Sequence, residues 1–293
     1  MIQPADLLEA MPMPDPYFPV KFHRVRASQY GETLFTNHWH KHIELLFFIS
    51  GKALIECNSA ADNVQVGELV VFNSNDLHAG ISQSEDLFYY VMIIDPILLQ
   101  SQSIDATETK FITPITQNRI LFNNFIKRDV EIGDCLLSIV HELEEQEFGY
   151  ELAVKSLLFR ILTLLLRKYV ARILTPNDYK IRIKNLERFT PILQYIEASY
   201  FEELSVHVLA DKAGLSRFHF SRLFKDLTGR TLTDYINEIR VGRAEYLLRN
   251  TPLTISEIAI NTGFHDIYYF SRIFKIYKHM PPSELRKAIS LNP

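Results

Sequence analysis

Residues 38–44 read His-Trp-His-Lys-His-Ile-Glu, and the side chains that carry lone pairs fall at alternate positions. Successive side chains of a strand point to opposite faces, so His38, His40, His42 and Glu44 would share one face and Trp39 would turn to the other, towards a core. His78 follows, after Gly51 and Gly67. Imidazoles and a carboxylate gathered on one face can line a pocket for a small organic effector, with His42 included. They can also bind an ion: His38, His40, Glu44 and His78 offer three imidazoles and a carboxylate, a set that suits Fe, Mn, Ni or Zn. They can equally satisfy one another. No nucleophile–base pair and no phosphate-cradling loop stands out, so no catalytic residue is assigned.

A second group of residues recurs near the C-terminal end. Ala210, Gly214, Phe220, Ser221, Arg222, Phe224 and Lys225 reappear as Ala259, Gly263, Phe270, Ser271, Arg272, Phe274 and Lys275, with one extra residue after the glycine of the second copy. Phe220, Leu223 and Phe224, like Phe270, Ile273 and Phe274, fall at i, i+3, i+4 and must be buried. That leaves Arg217, Phe218, Ser221, Arg222 and Lys225 facing outward in one copy, and Ile267, Tyr268, Ser271, Arg272 and Lys275 in the other. A short helix, a turn at glycine and a second helix with exposed Ser and Arg suit the major groove of DNA. Arg222 and Arg272 could bond guanine through two donors, while Lys225 and Lys275 would lie against phosphate. Two copies predict two helices reading two segments of one duplex.

The elements that must position these groups differ between the two halves. A Pro-rich leader precedes residues 21–95, where short β-branched and aromatic runs such as Ile43 to Ile49 and Leu87 to Ile94 alternate with Gly and Asn, the pattern of a sandwich or barrel. From Asp134 the period becomes helical, and Gly149 would divide the stretch into a helical pair. That pair would cover the sandwich. Its stripe from Leu136 to Leu166 would either pack within the chain or form a dimer face. Residues 173–183, with Pro176 and Asn177, read as a linker. Beyond it everything looks helical, with one long helix from Thr231 to Arg249 bracing the two copies. The expected organisation is multidomain α+β: residues 1–172 a β-sandwich with a helical pair, 173–183 a linker, and 184–293 an all-α domain with two helix-turn-helix motifs.

Charge divides at the same place. Residues 1–179 hold 14 Lys+Arg against 23 Asp+Glu, and residues 180–293 hold 17 against 12, so a net charge of −4 hides −9 joined to +5. A basic half attached to an acidic one fits a nucleic-acid module carried by something that should not touch DNA. Cys57 and Cys135 form no disulfide framework, which points to the cytoplasm. No apolar stretch reaches the ~18 residues of a bilayer span, and no signal peptide opens the chain, so no membrane partner is expected.

The tract Leu204–Arg286 resembles the DNA-binding domain of AraC/XylS-family transcription regulators. The matching residues are AGLSRFHFSRLFKDLTG, IRVGRAEYLLRNTPLTISEIA, GFHDIYYFSRIFK and PPSELR. Two departures stand out: His279 where the family usually has Gly, and Leu285 where it usually has Tyr. Residues 38–78 resemble the cupin signature His-x-His-x3-Glu-x6-Gly followed by Gly…His, with Asn73 and Asn75 in place of the usual Pro and Gly. A cupin-like sensor ahead of such a DNA-binding domain is a common family layout, and regulators of this family keep the pattern without depending on a metal. The resemblance implies a sequence-specific regulator whose partners are promoter DNA, a small-molecule effector, a second copy of the chain and RNA polymerase. Carbohydrate is the effector by family habit; aromatic acids, fatty acids and peptides remain open. Two rival readings stand beside it. One is a metal-dependent cupin enzyme with a DNA-binding appendage. The other is a constitutive DNA-binding protein whose cupin domain only dimerises.

Overall fold

A computed structural model of the chain describes residues 8–291, apart from Gln102 and Ile104. The described residues divide into two compact units, 8–184 and 185–291.

The first unit is a sandwich of antiparallel strands. Chain order runs β1 (Val20–Ala27), β2 (Thr33–His38), β3 (Ile43–Ser50), β4 (Lys52–Cys57), β5 (Ala60–Gln65), β6 (Leu69–Phe72), β7 (His78–Ser82) and β8 (Leu87–Ile94). A single helical turn, α1 (Thr113–Thr116), leads to β9 (Ile120–Phe122) and β10 (Phe125–Ile126). One sheet has the order β1-β8-β3-β6-β10 and the other β2-β7-β4-β5. β3 is apolar almost throughout because both of its faces are buried. Leu46 and Phe48 join Val70, Phe72, Ile55 and Val91 between the sheets. Ile43, Leu45 and Phe47 look the other way, into a core shared with Ile139, Val154, Leu158 and Ile161.

Those last residues belong to the helical pair α2 (Val130–Glu145) and α3 (Tyr150–Lys168), followed by β11 (Val170–Ile173), which pairs with β9. Asp129 caps α2 by accepting from Ile132 N, and Gly149, at φ 93, separates the helices. The stripe offered as a dimer face is spent within the chain: Leu136, Leu158, Ile161, Leu162 and Leu165 are all buried in this core. The outer face of the five-stranded sheet is itself apolar and must be covered, so the stripe has an intramolecular partner.

The stretch expected as a linker, 173–183, is in regular structure from Pro176 onward. α4 spans Pro176–Ser199. Pro176 sits at its first position, where a missing N–H costs nothing. Thr175 Oγ1 accepts from Asp178 N at 3.1 Å while the Asp178 carboxylate accepts from Thr175 N at 3.2 Å, a reciprocal cap. Residues that break strands here begin a helix.

The second unit continues through α5 (Val206–Lys212), α6 (Arg217–Thr228), α7 (Leu232–Asn250), α8 (Ile255–Asn261), α9 (Ile267–Lys278) and α10 (Pro282–Leu291). Phe189, Phe220 and Phe224 stack in one core, and Tyr235 meets Phe224 edge-on. Val241, Ala244, Leu248, Phe264, Phe270, Phe274 and Leu285 form a second. α7 supplies both, so it braces the two motifs.

Candidate functional site

The histidine run is not one strand. β2 ends at His38, paired in register with His78 of β7, and β3 begins at Ile43 in the other sheet. Residues 39–42 turn the corner between sheets, where the alternation of a single strand no longer applies. Three of the run's four expected pocket residues, His38, His40 and Glu44, still converge with His78. One ligand atom from each of His38, His40, Glu44 and His78 lies within 4.8 Å of the others. His40, Glu44 and His78 are buried and His38 nearly so. The His78 ring stacks on Phe72 at 4.0 Å, and Phe35 sets its edge against both His38 and His78.

His42 leaves the group. Its Nε2 lies 3.7 Å from the Asp95 carboxylate, because the corner turns it away from the run's common face. Burial, then the neighbouring His40, holds its pKa below the ordinary value. Trp39 is buried, and its carbonyl accepts from Glu9 N at 3.0 Å.

Hydrogen bonds orient the rings. His38 Nδ1 donates to the Thr36 carbonyl and His78 Nδ1 to the Asp76 carbonyl, each at 2.8 Å. In a neutral ring that leaves a lone pair on Nε2. His40 Nε2 donates to Glu44 Oε2 at 2.8 Å. His78 Nε2 stands 3.3 Å from the same oxygen without an aligned hydrogen bond. Two acceptors therefore face each other unless a second proton, a ligand hydroxyl or a cation lies between them. His40 Nδ1 is also buried without a partner. Burial pushes the Glu44 carboxyl up, but the His40 hydrogen bond and the close His78 ring outweigh it and hold the group well below the usual carboxylate range. Burial lowers the His38 pKa, with His78 adding to the effect.

Sequence reasoning missed two supporting residues. Glu9 Oε2 reaches to 3.1 Å from His38 Nε2. Asp76 is buried, and its carboxylate accepts from Asn58, Asn73, Asn124 and Arg182 at 2.8–3.0 Å while its carbonyl holds His78. The cluster Asn73-Ser74-Asn75-Asp76 was the available signal. Asn75 stands at φ 64, a left-handed position that asparagine tolerates in place of glycine. On the other face of β3, Ile43, Leu45, Leu158, Ile161 and Leu162 line a cavity of about 20 Å³ with no polar lining.

In the second unit the recognition helices of the two motifs match residue for residue, counted from their caps. Ser216 caps α6 and Asp266 caps α9, so the extra residue lies in the turn before the cap. The inward phenylalanines are fully buried. Arg217, Phe218, Ser221, Arg222 and Lys225 are exposed, as are Ile267, Tyr268, Arg272 and Lys275; Ser271 is half-buried. The Arg272 guanidinium lies 5.4 Å from the Tyr269 ring centre. Gly214 turns at φ 62 with open space around it. Gly263 turns at φ 83, where a Cβ would come within 2.8 Å of the Phe201 backbone.

Residues 23–162 match the model of an AraC-like ligand binding domain, and residues 209–288 that of a helix-turn-helix domain. An uncharacterized HTH-type transcriptional regulator, YdeC of Bacillus subtilis, is 22% identical over 93% of both chains. The Msm operon regulatory protein of Streptococcus mutans is 37% identical over 34% of this chain and 36% of that protein. Among solved structures, unsaturated fatty acid bound ToxT from Vibrio cholerae is 15% identical, covering 91% of this chain and 94% of that one, with a TM-score of 0.42.

Proposed function

Because the chain belongs to the AraC family of transcription regulators, with a ligand-binding domain followed by a DNA-binding one, we propose that α6 and α9 read promoter DNA under the control of a small molecule or ion held by His38, His40, Glu44 and His78. The observation that carries the DNA part is the matched pair of recognition helices, each with an aromatic, Ser, Arg and Lys turned outward in the same register. The observation that carries control is the buried cluster with partnerless nitrogens on His40 and His78. A buried polar atom without a partner costs about 1–3 kcal/mol, a cost that a bound ligand removes.

The organic reading is a polyhydroxylated effector such as a carbohydrate, whose hydroxyls can donate to Glu44 and His78 at once. The second reading, favoured by the two acceptors facing each other, is a divalent transition-metal ion. His38, His40, Glu44 and His78 would hold it, and the backbone bonds at His38 and His78 orient lone pairs as metal ligands need. The metal would supply Lewis acidity for anchoring an effector. The reading assigns no turnover and no catalytic residue. The regulator would work in the cytoplasm, where Cys57 and Cys135 stay reduced, as a homodimer that engages RNA polymerase at the promoter. Joining two such DNA-binding units raises the effective concentration of the second one. Among the described residues no helix is long and apolar enough to cross a membrane.

Thermal shift of the full chain against sugars and divalent metals separates these readings, because a ligand at a hundred times its Kd stabilises the folded state by about 2.7 kcal/mol. A shift with Zn²⁺ or Mn²⁺ that His78→Asn abolishes supports the ion. A shift with a sugar that Glu44→Gln abolishes supports the organic effector. If none of these ligands shifts melting or changes operator affinity, the chain binds DNA constitutively and the control reading fails.

A further inference from the structure

The caps Ser216 and Asp266 give α6 and α9 one common register. Counted from the cap, the outward faces match at four places: Phe218 with Tyr268, Ser221 with Ser271, Arg222 with Arg272, and Lys225 with Lys275. Among their exposed residues they differ near the C-terminal ends, Asp226 against Ile276, and at the first helical residue, Arg217 in α6 and Ile267 in α9. Both side chains are exposed, Ile267 by 37%.

Neither residue is explained by the stability of its own helix. A cation in the first turn opposes the helix dipole, and α6 has no acidic residue there to offset it. Ile267, a β-branched apolar residue with more than a third of its surface in water, forgoes part of the gain of burial and lowers helix propensity. Residues that break local rules at one matched position of a working surface point to what that surface meets.

Resting on the DNA-binding reading above, we propose that Arg217 and Ile267 make the two modules read different base pairs: Arg217 takes a guanine and Ile267 a thymine at the equivalent position of two otherwise similar segments. The first residues of a recognition helix are those that meet base edges. A guanidinium matches guanine O6 and N7 with two parallel N–H donors. Isoleucine has no donor or acceptor in its side chain, and the apolar feature of the major groove is the C5-methyl of thymine. Since Ser, Arg and Lys recur along both faces, the remaining base preferences should recur too. The site is then a pair of similar segments made unlike at one position, which fixes the direction in which the unit sits on its duplex.

The test is selection of duplexes from a random pool by the full chain, with sequencing of the enriched set. Wild type should enrich two similar segments, with guanine at one position of the first and thymine at the matching position of the second. Arg217→Ile should turn that guanine into thymine, and Ile267→Arg should turn that thymine into guanine, with the other positions kept. Each variant should bind the wild-type duplex about tenfold more weakly. Deoxyuridine in place of the thymine, which removes only the methyl group, should weaken wild type and not Ile267→Arg. Both side chains are exposed, so unchanged melting temperatures confirm that the variants are folded. If wild type enriches no sequence, the DNA-binding reading falls and this assignment with it. If wild type and both variants enrich the same segments, the DNA-binding reading stands and the assignment of Arg217 and Ile267 is overturned.

Discussion

The first helix-turn-helix closes its recognition helix with Gly229 at φ 74; the second closes with His279 at φ 59. The first turns at Gly214 in open space, the second at Gly263 with the Phe201 backbone where a Cβ would be. Asp211 and Asp226 on the first become Ile260 and Ile276 on the second, both exposed. Yet the buried positions repeat: Phe220 and Phe224 against Phe270 and Phe274. Packing has held the interiors to one solution, because a close-packed core tolerates few volumes. The surfaces have diverged, because an exposed residue answers only to its partner. The turns occupy the ground between: the same left-handed geometry is required, but the neighbours that enforce it differ.

The largest effects should come from the shared interiors. Phe220→Ala and Phe270→Ala should each destabilise the second unit by about 3–5 kcal/mol, measured by urea unfolding. Similar losses are expected, since each ring packs against two others, Phe189 and Phe224 or Phe264 and Phe274. A loss confined to one variant would break the equivalence of the cores.

The turns should separate the modules. Gly214→Ala meets only the left-handed backbone and should cost about 1–2 kcal/mol. Gly263→Ala adds a clash with main chain that cannot swing aside, which should raise the cost by about 1–3 kcal/mol more. Equal melting temperatures for the two variants would show that Phe201 yields.

A smaller effect is expected at the closing residues. His279→Gly should stabilise by about 1 kcal/mol, because glycine adopts positive φ without penalty, and Gly229→His should destabilise by a similar amount. Thermal unfolding of both variants reads the difference. A destabilising His279→Gly would mean that the imidazole makes a compensating contact.

Much of this was legible in the sequence because the signals were local. Apolar residues at i, i+3 and i+4, with phenylalanine at the first and last of these, fixed the inward faces of α6 and α9. Period-two alternation pointed to His38, His40 and Glu44, which converge although the chain changes sheets between them, and it failed at His42. The rest depended on distance. Glu9 reaches His38, and Arg182 reaches Asp76, through contacts that span tens of residues and leave no spacing pattern. The stripe at Leu158, Ile161 and Leu162 read equally as a dimer face because the apolar outer face of β3 that covers it lies far away in sequence. Pro176 and Asn177 signalled a break in regular structure, and only the reciprocal bonds of Thr175 and Asp178 show that the break is a helix start.

The central claim is that two equivalent helices read two segments of one duplex, and footprinting on a selected operator tests it most directly. Arg222→Ala should remove protection and base preference over one segment while leaving the other, and Arg272→Ala should do the converse. Each should weaken specific binding by about 1–3 kcal/mol. Unchanged affinity, footprint and base preference in both variants would contradict the account.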